Sequence, residues 1–300
     1  MKAWALPATV IVAIEYATAL LIGWLVGFRY TIPFGSYLIV ALVIVSFGLV
    51  AFVSWRLLSA IRFGYVPLDL QRFAPFAVGV ILVALQMGVL GWTKTMLAAT
   101  HYWADPFLAN LDRGLFGTDP WRLFISFNGP IIDRAYVTWL PVKFSLLVAL
   151  VCAPESPKKA RALLSYFLIM LTGSIGQYAL PSAGPLFHQP VPLNQWVADS
   201  RDYLWQAYVT GHGRVGSGIS AMPSMHVAIA MWMALVVRAY VPKLAVLGFG
   251  YLILIFIGSI ALGWHYATDS IAAVGIALLA WNISAVSAAR LERRRTALAS

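Results

Sequence analysis

The chain has 300 residues, 61% hydrophobic and only 11% charged, with a mean hydropathy of +0.81. Soluble domains carry about 25% charged residues, and a globule of this size could not cover its surface with so few. These figures exclude a cytosolic enzyme, a nucleic-acid-binding module and a disordered chain, and leave an all-α polytopic membrane protein. The net charge of +10 is spread as short basic runs between apolar segments, the pattern of membrane topology. Cys152 is the only cysteine, so an intrachain disulfide and a cysteine metal cluster are both ruled out.

In chain order, apolar windows of about 20 residues predict eight transmembrane helices, over 8–28, 35–57, 73–93, 131–152, 162–180, 224–241, 243–264 and 266–287. The first is too long for a signal-peptide core and runs on into the second. Between spans three and four, residues 103–127 read WADPFLANLDRGLFGTDPWRLFISF. Trp103, Phe107, Leu111, Leu115 and Phe116 recur there at helical spacing, with Asp105, Asp112, Arg113 and Asp119 between them. That pattern predicts a helix in the headgroup plane, a connector packed on the bundle, or both. Glu15 in span one and Lys143 in span four lie at comparable depths, which predicts a buried pair. The last two spans abut at Trp264–Tyr266 and require a tight hairpin.

The expected organisation is two N-terminal helices and a connector over 1–70, a core over 71–287, and a basic tail over 288–300. Eight spans put both termini on one side. Thirteen Lys and Arg fall on that side and six on the other, with Arg134 and Lys143 inside span four. The positive-inside rule then places both termini in the cytoplasm, and 94–130 and 181–223 outside, with a bacterial inner membrane as the expected location.

Three polar clusters share the outer face: 177–185 (QYALPSAGP), 220–226 (SAMPSMH) and 263–269 (GWHYATD). His265 and Asp269 are i and i+4 on one helix face. A carboxylate there can accept the Nδ1 proton and leave Nε2 as a nucleophile or base. Pro223 and Ser224 mark a helix start, whose free N–H groups and dipole favour an anion such as phosphate, with His226 in the first turn. Ionisable groups inside a bundle are functional candidates, and this set is suited to phosphoryl transfer. Zinc held by His226, His265, Asp269 and His212 is the alternative, without an HExxH motif or a cysteine ligand to support it. The glycines between 211 and 218 lack a Walker lysine and read as a flexible loop.

The three clusters resemble the motifs KxxxxxxRP, PSGH and SRxxxxxHxxxD of the type 2 phosphatidic acid phosphatase superfamily, here QYALPSAGP, PSMH at 223–226 and GSIALGWHYATD at 258–269. The resemblance runs over roughly 70–287 and implies a six-helix core preceded by two extra helices. LDRGLFGTDPW at 111–121, with the AGP and PSMH forms, looks most like the branch that includes the aureobasidin-sensitive inositol phosphorylceramide synthases. It implies that His265 attacks phosphorus to form a phosphohistidine, Asp269 orients it, His226 handles the leaving-group and acceptor protons, and Ser224 binds phosphoryl oxygens. No metal or cofactor is implied.

The family's motif cations fall on Gln177, Gly184 and Ser259, so all three are absent. A singly charged phosphodiester needs less cationic compensation than a phosphomonoester. The expected activity is therefore transfer of a phospho-headgroup from a diester lipid to a lipid hydroxyl, in phospholipid or sphingolipid metabolism. The alternatives are a phosphatase of lipid phosphate or polyprenyl (di)phosphate and a silent lipid-binding relative. Arg214, Arg134 and Lys94 are candidate replacement cations, and Gln177 and Tyr178 are further candidate substrate contacts. Spans one and two and residues 104–127 are expected to wall the acceptor path. The expected partners are membrane lipids and no nucleic acid, with homo-oligomerisation left open.

Overall fold

The computed structural model describes residues 4–31, 34–43, 46 and 73–297. Beyond Val43, apart from Ser46, the predicted span 35–57 lies outside the described residues, as do the connector to 72 and the last three residues of the tail. The described residues form helices α1 (Ala5–Leu25), α2 (Phe34–Val43), α3 (Phe73–Met96), α4 (Asp105–Phe116), α5 (Pro120–Leu123), α6 (Pro130–Val137), α7 (Trp139–Cys152), α8 (Pro157–Ala179), α9 (Pro185–His188), α10 (Gln195–Thr210), α11 (Met225–Tyr240), α12 (Ala245–Ala261) and α13 (Ala267–Ala297). Among the described residues there is no strand. Among the described residues six helical stretches are long and apolar enough to cross a membrane, and α2 and α11 are shorter apolar helices. The polytopic all-α class read from the sequence is the one observed.

α11 has 16 residues, about 24 Å at 1.5 Å per residue, less than the thickness of a hydrocarbon core. It sits inside the bundle against α7, α8, α12 and α13, and every residue from Val227 to Val236 is buried. Lipid tails are as apolar as a helix surface, so close van der Waals fit and buried hydrogen bonds hold such a helix. Ala228, Ala230 and Ala234 permit close approach. The indole of Trp232 donates to the Ala162 carbonyl at 2.9 Å and ties α11 to α8.

Helix ends follow local chemistry. Ser156 caps α8 by accepting from the Lys159 amide, with Pro157 at the first helical position. Asn194 caps α10, and Gly211 closes it in the left-handed region at φ 67. α10 is an element for which the sequence reading of 181–223 has no counterpart, because its mixed sequence QWVADSRDYLWQAYVT is neither a span nor a turn cluster.

α4 buries two acids and exposes several of its large apolar side chains. Asp105 and Asp112 are 3% and 1% exposed, whereas Trp103 just before it, Phe107 and Leu115 are 58%, 53% and 62% exposed. The helix packs on α9 and α13 through a face on which Leu108 and Ala109 lie between the two acids, and turns Phe107 and Leu115 outward. The headgroup-plane and packed-connector readings thus describe two sides of one helix.

The predicted Glu15–Lys143 pair does not form. Glu15 accepts from Gln86 Nε2 at 2.9 Å, while the Lys143 ammonium lies over the rings of Trp139 and Phe144 at 4.6 and 4.5 Å. Equal depth in two helices does not put them face to face, and α3 lies close to both α1 and α7.

Candidate active site

The three polar clusters meet at one end of the bundle through a mesh of backbone bonds. Ala221 N–H donates to Ser182 O at 2.8 Å, Leu186 N–H to Gly263 O at 2.7 Å and Ser224 N–H to Asp269 O at 3.2 Å. Ser182 Oγ also accepts from the Met222 amide at 3.1 Å.

At this junction His265 Nδ1 is 2.8 Å from the Ala221 carbonyl, and His265 Nε2 is 3.1 Å from His226 Nδ1. A carbonyl can only accept. The bond network therefore assigns the proton to His265 Nδ1 and the lone pair to Nε2, with His226 donating from Nδ1. Burial pushes the His265 imidazole down to about 3, against the Ala221 bond and aided by the charge of Lys94. A neutral ring with its lone pair on Nε2 is able to act as a nucleophile. His226 is held between Tyr136 and Trp139, with ring centroids 4.9 and 4.6 Å away.

The expected hydrogen bond from His265 to Asp269 is absent. Asp269 Oδ2 is 3.9 Å from Nδ1 and accepts from the Tyr266 amide at 2.9 Å. The Ala221 carbonyl sets the tautomer in its place. Ser224 also departs from expectation. It is fully buried, its hydroxyl caps α11 by accepting from the Val227 amide, and Pro223 precedes the cap. His226 is the second residue of α11, so the positive end of that helix dipole points at the histidine pair.

The two histidines border a cavity of about 420 Å³, walled by α6–α7, α10 and the loop 216–220. Among the described residues, none on the lining comes from α1, α2 or 104–127; α10 and α6–α7 wall the cavity there, and most of the predicted second span lies outside the described residues. α10 turns Trp196, Asp199, Ser200, Tyr203 and Leu204 inward at helical spacing. Among the described residues Lys94 is the one Lys or Arg on the lining, and Gly218 packs so closely on it that a Cβ there would lie 2.5 Å from Lys94 Cβ.

Arg134 and Arg214 are exposed and do not line the cavity. The Arg214 guanidinium lies 5.9 Å from the Tyr203 ring centre. Gln177 is buried outside the lining, and the Tyr178 hydroxyl donates to the Thr93 carbonyl at 2.7 Å. His212 is exposed, and among the described residues no cluster of three or more His, Cys, Asp or Glu has metal-ligand geometry.

The structure also accounts for two of the missing cations. Gly184 has φ +97, and a Cβ there would lie 2.6 Å from the Trp264 carbonyl oxygen, so no side chain fits at that position. Ser259 is turned between helices, donating to Phe256 O at 2.7 Å and lying 3.0 Å from Ser270 Oγ.

Sequence reasoning did not assign roles to Asp105 and Asp112. Asp105 accepts from the amides of Ala183 and Gly184 at 2.8 and 2.9 Å and from the Tyr266 hydroxyl at 2.9 Å. Asp112 accepts from the amides of Ala267 and Thr268 at 2.7 and 3.0 Å, capping α13 from another helix. Burial pushes both carboxyls up, and these five bonds oppose it. α4 thus clamps the first cluster to the third. The available signal was the i, i+7 spacing of the two acids, which puts them on one helix face.

A multi-pass helical bundle with a paired-histidine pocket at one end is the class of protein that fold and site define. The family model of the PAP2 superfamily matches residues 130–283, and the chain belongs to that superfamily. Membership supports a lipid phosphatase or phosphotransferase type of function in general. No curated protein and no solved structure matches the chain. Lys94, Asp105 and Asp112 lie outside the matched region.

Proposed function

We propose that this protein is a lipid phosphotransferase of the inositol phosphorylceramide synthase-like type, moving a phospho-headgroup from a phosphodiester lipid to a lipid hydroxyl. The observation that carries the reading is the histidine pair bordering a cavity whose described lining holds one Lys or Arg, Lys94. So few fixed cations suit a singly charged diester better than a doubly charged monoester. His265 Nε2 attacks phosphorus as the bond to the departing oxygen breaks. His226, protonated in the field of the bound phosphate, gives its Nδ1 proton to that oxygen. The phosphohistidine carries positive charge on its imidazole, which Asp269 at 3.9 Å stabilises. Neutral His226 then takes the proton of the acceptor hydroxyl as its oxygen displaces His265.

The test is to incubate purified protein with a diester phospholipid or with phosphatidic acid, each with and without a hydroxylated lipid, and to resolve lipid products and free phosphate. A new phospholipid that depends on both diester and acceptor is expected. Rapid phosphate release from phosphatidic acid, indifferent to acceptor, would establish the phosphatase reading instead.

In this reading the cavity opens on the extracytoplasmic side, supported by the basic-residue asymmetry. A topology reporter at Gly213 is expected outside and reporters at Lys158 and Arg293 inside. Cytoplasmic labelling of Gly213 would reverse the sidedness.

A further inference from the structure

The loop before α11 supplies Gly216, Gly218, Ile219 and Ser220 to the cavity wall, and glycine stands at 211, 213, 216 and 218. Such a loop has little stiffness of its own, so its place depends on what it is tied to. Tyr203 Oη on α10 donates to Val215 O at 2.9 Å. Three further ties come from the N-terminal helix pair. Thr31 N–H donates to Gly211 O at 3.1 Å, Gly213 N–H donates to Thr31 Oγ1 at 3.0 Å, and Gly216 N–H donates to Tyr37 Oη at 3.0 Å.

Tyr37, on α2, is 5% exposed, and its hydroxyl oxygen also presses on α3: a Cβ at Gly91 would lie 2.8 Å from it. Gly91 and Lys94 are i and i+3, neighbours on one face of α3. Gly218, which packs on Lys94 itself, follows Gly216 by two residues. The Tyr37 hydroxyl therefore joins the glycine loop to α3 within one turn of the lysine. The same helix pair holds α3 a second time, where Trp92 Nε1 donates to Tyr30 O at 3.1 Å.

We infer that Tyr37 is a positioning residue for the reaction: its hydroxyl fixes the glycine loop against α3 and so sets where Lys94 stands in the cavity. This rests on the phosphoryl-transfer reading above, in which Lys94 meets the phosphate, and adds to it a role for the N-terminal helices. Among the described residues they line no part of the cavity, but they hold its lysine in place. Helices α1–α3 precede the matched residues 130–283, so the lysine and its support both come from outside the segment that marks the superfamily. Without the hydroxyl, the Gly216 amide loses its acceptor and the loop is free to shift. A displacement of about 1 Å at a group that meets the reacting phosphate can cost roughly 10²-fold in rate.

The experiment is a double-mutant cycle on the purified full chain, read as kcat/KM, alongside thermal unfolding. Tyr37→Phe keeps the ring and removes one oxygen, so its Tm should stay close to the parent's while kcat/KM falls about tenfold. Lys94→Met should cost about 10²-fold. The double variant should be no worse than Lys94→Met alone, because a lysine that is gone no longer needs positioning. A merely structural role for Tyr37 would instead lower kcat/KM by the same factor with and without the lysine. Thr31→Val, which cuts the tie at Gly213, gives a second, independent cycle with the same expected coupling. The substrates are a diester phospholipid with a hydroxylated lipid, and phosphatidic acid alone. The cycle is read on whichever of them the parent turns over, so failure of the transfer reading is seen separately from failure of the positioning role. Effects that multiply in the double variants, or parent-like kcat/KM in Tyr37→Phe, would overturn the inference.

Discussion

Replacing His265 with alanine is expected to lower turnover by at least about 10⁴-fold, the scale of losing a covalent nucleophile, and to remove any acid-labile phosphoenzyme. The Ala221 carbonyl at 2.8 Å holds the proton of His265 on Nδ1 and leaves the lone pair on Nε2, and His226 Nδ1 stands 3.1 Å from that nitrogen. Asp269→Asn should cost less, roughly 10²-fold, because it removes the charge that stabilises the phosphorylated ring and leaves the tautomer in place. The check is steady-state turnover, with acid-quenched phosphoenzyme trapped from labelled substrate. Phosphoenzyme that persists in His265→Ala would move the nucleophile elsewhere. Tautomer control by Asp269 would make Asp269→Asn as severe as His265→Ala.

Asp105→Ala is expected to destabilise the protein by roughly 3–5 kcal/mol and to abolish activity, although Asp105 does not line the cavity. Three donors lose their acceptor at once, the amides of Ala183 and Gly184 and the Tyr266 hydroxyl. These segments run directly into Pro185 and His265. Asp105→Asn keeps one acceptor oxygen and should lose about half as much stability. Asp112→Ala exposes the amides of Ala267 and Thr268 at the start of α13 and should act in the same direction. Thermal unfolding and turnover of the purified variants provide the measurement. Parent-like Tm and turnover in Asp105→Ala would show that α4 is a passive surface helix.

Much of the architecture was legible without coordinates because it depends on local properties. An apolar run long enough to cross a bilayer must hydrogen-bond its own backbone, so seven of the eight predicted spans have a described helix along most of their length, and α2 lies at the start of the other. Alternation of spans placed the three polar clusters at one membrane face, and the i, i+4 spacing of His265 and Asp269 drew attention to His265, although that residue stands in the turn before α13 and not on its helix face. Motif spacing likewise pointed to His226.

What the spacing could not supply were partners that lie far away in sequence or on the backbone. The acceptor that sets the His265 tautomer is the carbonyl of Ala221, 44 residues away, and any residue type offers that group. The choice of Lys94 over Arg134 and Arg214, and the failure of Glu15 to meet Lys143, turn on helix rotation, which hydropathy alone leaves open when a span is apolar all round. α4 shows the same limit. Its alternating acids and aromatics announce two faces, but whether carboxylates or rings turn inward depends on what waits there. Here it is a set of otherwise unpaired amides at 183–184 and 267–268, which only the assembled tertiary structure brings within reach of Asp105 and Asp112.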